Sequence, residues 1–200
     1  MGILESKLPT SVLIHGVEYP IRSNFRTMIK FEELMQDPDV TDQDKVWLAL
    51  RLFYPEIPDD IEQAVEQLLW FYRCDKRDNL FTKKAKKRKA KRAARIYDFE
   101  LDDDYIYAAF MAQYHLDLHK VRYLHWWKFR AMFNSLSDDM QISKIMEYRA
   151  VEIDKVPKEK RAFYKRMKML YALPLSRNEE ERQNALENAL LQGKSLEGLV

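Results

Sequence analysis

Hydrophobic residues recur along most of this chain at intervals of three and four, the repeat that lines up one face of a helix. The opening is different. Thr10–Ile14 and Val17–Ile21 are short β-branched runs flanking His15-Gly16, and a two-residue connection with glycine supplying positive φ predicts a hairpin. Pro20 lacks a ladder donor and so belongs at an edge or a strand end.

From Ser23-Asn24, which can cap, the pattern predicts a helix to about Gln36, with Phe25, Met28, Phe31 and Met35 on one face and Pro38 beyond its end. Thr41–Asp44 opens a second, in which Val46, Ala49, Leu50 and Phe53 form the stripe before Tyr54-Pro55. Pro58-Asp59-Asp60 opens a third, running through Ile61, Ala64, Val65, Leu68, Leu69 and Tyr72 towards Cys74. Further on, Ile96–Leu101 alternates as a short strand would, and Asp102-Asp103-Asp104 stands where acids favour a helix start. Asp117 can cap a long helix through Val121, Trp126, Trp127, Phe129 and Phe133 to Leu136, apolar nearly all round and therefore central. Ser137-Asp138-Asp139 and Pro157 open two more. The second of these carries Phe163, Met167, Leu170 and Tyr171 amid Lys158, Lys160, Arg161, Lys165, Arg166 and Lys168. A last helix, acidic at its start, is predicted from Asn178 to Gln192.

With 4 glycines and 7 prolines in 200 residues, composition agrees with the pattern: a mainly α-helical protein with a short N-terminal β-hairpin. The expected organisation is an N-terminal hairpin and three-helix unit over 1–75, a basic insert over 76–95, a helical unit over 96–175, and a C-terminal helix and tail over 176–200. One cysteine, Cys74, excludes an intrachain disulfide framework and a multi-cysteine zinc site. No apolar run approaches the roughly 18 residues of a membrane span and Met1–Leu4 does not open a leader, so no membrane partner and a cytoplasmic setting are expected.

The net charge of +2 hides a segregation. Lys83, Lys84, Lys86, Lys87, Arg88, Lys89, Lys91, Arg92 and Arg95 form a run with no acid and alanine as filler, and without these nine charges the rest of the chain stands at −7. Such a block repels itself and has nothing to bury, so a disordered arm or a solvated helix is expected. It can meet phosphates, without base readout, or dock on an acidic protein.

Catalytic chemistry finds little purchase. His115 and His119 stand at the spacing of two metal ligands, but Asp117 caps or breaks a helix between them and no third ligand accompanies them. His125 sits among apolar neighbours, which favour a neutral imidazole with a partner for its N–H. Cys74 lies beside basic residues without a base, and the acids at 102–104 are accounted for by a helix N-terminus. There is no phosphate loop or dinucleotide fingerprint, so no cofactor and no enzymatic activity are expected. Trp126 and Trp127 point about 100° apart on a helix, so either both are buried or one packs inward and the other meets a partner. Leu196 and Leu199 are candidate interface residues in the tail.

Several stretches resemble a known family: Leu8–Val12 with Tyr19-Pro20-Ile21, Asn24-Phe25-Arg26, Phe31–Leu34, Leu52–Pro55, Trp70–Cys74, Asp104–Phe110 and Leu124–Arg130. They are similar to the bacteriophage gene-product-fifteen family of siphophages and prophages of Gram-positive hosts. The resemblance implies a place in the tail-morphogenesis module and the role of a non-catalytic tail assembly chaperone in the host cytoplasm. The implied partners are the tape-measure protein and the tail tube protein, with homo-oligomerisation left open. The alternatives are a nucleic-acid-binding regulator using the basic run, and a structural virion component. Nine methionines and the basic helix at 158–168 suit an amphipathic helical partner.

Overall fold

The computed structural model describes residues 7–75 and 95–174. β1 (Ser11–Ile14) and β2 (Val17–Pro20) form an antiparallel pair in which Val12 faces Tyr19 and Ile14 faces Val17. Both turn residues have positive φ, +50° at His15 and +80° at Gly16, as a tight hairpin with the strands' own twist requires. Val12 and Ile14 are buried, Leu13 and Val17 exposed, and Pro20 ends its strand.

The next three helices start where their caps stand. Asn24 accepts the Arg26 amide at 3.1 Å and opens α1 (Phe25–Gln36). Thr41 accepts the Asp44 amide at 3.2 Å and opens α2 (Asp42–Phe53), while Asp60 accepts the Gln63 amide at 3.0 Å and opens α3 (Ile61–Tyr72). α4 (Asp103–Tyr114) ends at His115, which takes the left-handed conformation (φ +52°) usually left to glycine. α6 (Gln141–Ala150), a single 3-10 turn at Ile153–Lys155 and α7 (Lys158–Leu170) complete the described chain.

Three sequence expectations are corrected between these elements. The helix predicted from Asp117 to Leu136 is reduced to α5, Trp126–Phe133. The reason lies a hundred residues earlier: the Phe25 amide donates to the Leu124 carbonyl and the Trp126 amide to the Ser23 carbonyl, each at 2.9 Å. This bridge between Asn24 and His125 holds the chain extended just before α5. Asp117 caps only a turn, accepting the His119 and Lys120 amides. Nor is Ile96–Leu101 a strand. The Asp98 carboxylate accepts the amides of Glu100 and Leu101 at 2.9 and 2.8 Å, which takes from the ladder the donors a strand needs. Tyr97 and Phe99 point inward instead. The helix expected to open at Ser137 begins four residues later, at Gln141.

One hydrophobic core takes in Val12 to Phe71 from the first described stretch and Phe99 to Ile142 from the second. Phe129 of α5 is fully buried at its centre, stacked on Phe25 of α1 at 4.8 Å and on Phe110 of α4 at 5.1 Å, with Phe99 at 5.9 Å. Stacking of this kind adds about 0.5–1.5 kcal/mol per pair to simple burial.

A buried ion pair ties down the C-terminal half. Arg149 of α6 grips Asp102 with both terminal nitrogens, Nη2 to Oδ1 at 2.9 Å. It also donates to the Ile96 carbonyl at 3.1 Å and to the Tyr171 carbonyl at 2.6 Å. Asp102 in turn accepts the Asp98 amide at 2.9 Å. One guanidinium thus joins the 96–102 segment, the start of α4, α6 and the end of α7. Asp102, expected to serve a helix dipole, makes no capping hydrogen bond and is instead this buried counter-charge.

Removing one member of such a pair strands a buried charge. Arg149→Met is therefore expected to lower unfolding stability by about 3–5 kcal/mol, measured by denaturant titration. The loss should shrink when Asp102→Leu is added.

Candidate functional site

The aromatic segment Leu124–Arg130 drew attention in the sequence, and the structure gives it a structural task. His125 is buried and caps α5: its Nδ1 accepts the Trp127 amide at 3.0 Å, so Nε2 carries the proton and donates to the Pro9 carbonyl at 2.9 Å. Burial holds this imidazole below the usual histidine range, and Lys128 adds to the effect against the opposing hydrogen bond to Pro9. The expectation of a neutral, partnered histidine is met.

Trp126 and Trp127, candidates for a partner contact, are both buried within the chain. Their indole N–H groups donate to the carbonyls of Tyr72 and Phe71, at 2.9 and 2.8 Å, in the last turn of α3, where the Phe71 carbonyl also accepts the Cys74 amide at 3.0 Å. Neither ring is free to reach out. The sequence showed two tryptophans at adjacent positions but not that one helix end would engage both.

Beside them lies a buried cluster that sequence reasoning missed. Glu32 Oε1 accepts the Tyr72 hydroxyl at 2.6 Å, the Tyr97 hydroxyl at 3.4 Å and Arg130 Nη1 at 3.2 Å. The Arg130 guanidinium lies over the rings of Trp126 and Tyr72. Burial pushes the Glu32 carboxyl up against the pull of Tyr72 and Arg130, and burial together with the Glu32 charge raises the Tyr97 phenol to about 12. Glu32 is buried, while Tyr72, Tyr97 and Arg130 are part-buried around it. The arrangement joins α1, α3 and α5 to the segment that carries Tyr97.

The other sequence candidates scatter. His115 serves as the α4 terminus, and His119 packs its ring on Tyr107 at 5.1 Å. Among the described residues no group of three histidine, cysteine or acidic side chains is placed to hold a metal, and no helix is long and apolar enough to cross a membrane. Cys74 is half-buried, its Sγ 3.7 Å from the Tyr72 carbonyl. Lys83–Arg92, Leu196, Leu199 and the helix expected at 178–192 lie outside the described residues. The last member of the basic run, Arg95, is described and is fastened to the body: it pairs with Asp98 at 3.1 Å and hydrogen-bonds Gln36. It lines an acidic cleft of about 570 Å³ with Glu33, Asp37, Asp98 and Glu100, where burial and the charges of Glu100 and Asp98 push the Glu33 carboxyl up.

The surface that stands out is on α2. Ala49, Leu50 and Phe53 face the core, but Val46, Trp47 and Leu48 are exposed in succession, Trp47 by 46%. Val46, expected on the inner stripe, has rotated outward. One turn on, Arg51 and Leu52 join Arg22, Arg26 and Lys30 around a cationic cleft of about 330 Å³. Part of that charge is committed, since Arg22 donates to the carbonyls of Arg51 and Tyr54, each at 2.7 Å, and Arg26 to that of Leu118 at 2.6 Å. An exposed tryptophan beside fixed cations suits an amphipathic, acidic helical segment. The sequence signal was available: Trp47 falls off the inner stripe of its helix.

A family model described as Bacteriophage Gp15 protein matches residues 4–173. No curated protein and no solved structure matches the chain.

His125 generates a prediction about acid. Its folded pKa lies below the ordinary 6.5, so below pH 6.5 the unfolded chain takes up a proton that the folded chain refuses, and stability falls with pH through that range. His125→Asn retains a capping residue and should show a shallower loss in denaturant midpoint between pH 7.5 and pH 5.5 than the unaltered protein. Trp127→Phe removes one of the two donors to the Phe71 carbonyl, the Cys74 amide remaining, and should cost about 0.5–1.5 kcal/mol in the same assay.

Proposed function

Because the chain belongs to the bacteriophage Gp15 protein family, whose members are phage structural or assembly-related proteins and not known enzymes, we propose that it is a non-catalytic tail assembly chaperone acting on the tape-measure protein. The observation that carries this reading is the exposed Val46-Trp47-Leu48 face of α2 beside the cationic cleft. The core is closed around its own aromatic rings, and the buried Glu32 and Asp102 carboxylates are both satisfied internally. What is left for a partner is a surface, and this one combines a large apolar side chain with positive charge. A long helical protein presents that complement at successive turns, apolar on one face and acidic on the flank. The reading places the protein in the host cytoplasm during assembly, with the tube protein as a second partner.

Co-expression with the cognate tape-measure protein followed by pull-down tests this. Association is expected, and Trp47→Ala should weaken it about thirty-fold, the effect of losing a contact worth about 2 kcal/mol. Absence of association, with tape-measure solubility unchanged, would overturn the reading. Recovery of the protein in purified particles by mass spectrometry would favour a structural virion component. A mobility shift lost steeply with salt, and lost on neutralising Lys83–Arg92, would favour the nucleic-acid reading instead.

A further inference from the structure

The cleft beside α2 is lined, among the described residues, by cations and by no acid. Arg22, Arg26 and Lys30 recur every fourth residue where the chain enters α1, Arg51 and Leu52 come from the last turn of α2, and Thr27 adds a hydroxyl. Charges four residues apart on a helix are neighbours, and like charges so placed repel one another. Among the described residues Arg22, Arg26 and Arg51 make no ion pair. Lys30, which also lines the acidic cleft, acts on Glu33 there. Two of the four cations are fixed by backbone: Arg22 Nη1 donates to the carbonyls of Arg51 and Tyr54 at 2.7 Å and of Leu52 at 3.2 Å, and Arg26 Nη2 to that of Leu118 at 2.6 Å. Each guanidinium is anchored through one nitrogen and has further N–H donors.

Arg51 joins this cleft to the apolar patch. It is exposed, and on the outer side of α2 it follows Trp47 by four residues and Leu48 by three, so one helical turn separates the two features. We infer that the cleft reads a pair of carboxylates set one helical turn apart on a partner helix, beside an apolar side chain that lies on Trp47. The spacing carries this. Arg26 and Lys30 stand about 6 Å apart along α1, the rise of four residues, and acids at i and i+4 of a partner helix have the same separation. From Arg51 to Trp47 is the same step on α2. The anchored arginines lose little freedom on meeting a carboxylate, while Arg51 and Lys30 supply charge from exposed positions. A nucleic acid strand is the poorer complement, because Val46 and Leu48 flank Trp47 with aliphatic surface on which bases do not stack. The inference rests on the reading of α2 as the partner surface and adds the pattern which that surface selects: one apolar residue and two acids at four-residue steps.

Calorimetric titration of the full-length protein with two synthetic alanine-rich helical peptides tests this. Both contain one leucine and two glutamates. The first sets them at four-residue steps on one face, and the second moves one glutamate by two positions, so that the acids no longer share a face. The first is expected to bind about tenfold more tightly, with the preference fading as salt is raised. Arg51→Glu with Lys30→Glu, both at exposed positions, should abolish the preference at an unchanged denaturant midpoint. Equal binding of the two peptides overturns the inference, and so does a preference that survives in the variant. A single-stranded DNA oligonucleotide that binds more tightly than either peptide, and no longer binds the variant, overturns it in favour of nucleic acid. Tape-measure association undiminished by Arg51→Glu with Lys30→Glu overturns the role of the cleft and leaves the chaperone reading standing. No tape-measure association, with the peptide preference intact, removes the chaperone reading and supports the cleft as a site for another acidic helix.

Discussion

Two indole N–H groups hold the fold in register. Trp126 and Trp127 donate to the carbonyls of Tyr72 and Phe71, so the end of α3 and the start of α5 can meet in one way only. Each of these hydrogen bonds is worth about 0.5–1.5 kcal/mol net, and both are made at one place. Much else follows from that junction. It sets Phe129 between Phe25 and Phe110, brings Arg130 over the Trp126 ring, and leaves Glu32 facing Tyr72. His125 then has to end an extended stretch and begin a helix, which it does with its own ring nitrogen. Residues that look in sequence like a binding motif are used up in joining two helix ends.

How much of this was legible depends on the range over which each element is specified. α1, α2 and α3 were readable to within a residue or two because their starts are set by Asn24, Thr41 and Asp60, each bonding an amide two or three residues away. The long helix expected from Asp117 failed for the opposite reason. What interrupts it is the pairing of Leu124 and Trp126 with Phe25 and Ser23, a contact across a hundred residues that no local pattern records. Asp102 was legible only as a helix-start acid, because its union with Arg149 is likewise long-range. At the surface, the basic run was conspicuous by composition, while the α2 patch was a matter of one residue lying off a stripe.

Charge in this protein divides by location more than by amount. Acids that are buried are paired or hydrogen-bonded, Asp102 by an arginine and Glu32 by an arginine and two phenols. Among the described residues Arg22, Arg26, Lys30 and Arg51 gather round a cleft beside α2 and α7 carries a further group of cations, whereas Glu33, Asp37, Asp98 and Glu100 line a cleft of their own where Arg95 is moored. The net +2 is the sum of patches that would each act locally, within the Debye length of about 8 Å at physiological salt.

The placement of the four tryptophans has an optical consequence. Trp126 and Trp127 are sealed among aromatic rings and Trp70 packs edge-on against Trp127 at 5.5 Å, so their emission belongs to the interior. Trp47 stands apart on α2, half in water, where a soluble quencher collides with it first and its emission lies to the red of the others. A ligand settling on that face would shift the red component to the blue and shield it while the interior signal stays still. The protein thus carries an intrinsic fluorophore at the surface proposed for its partner, and occupancy there can be followed without a label.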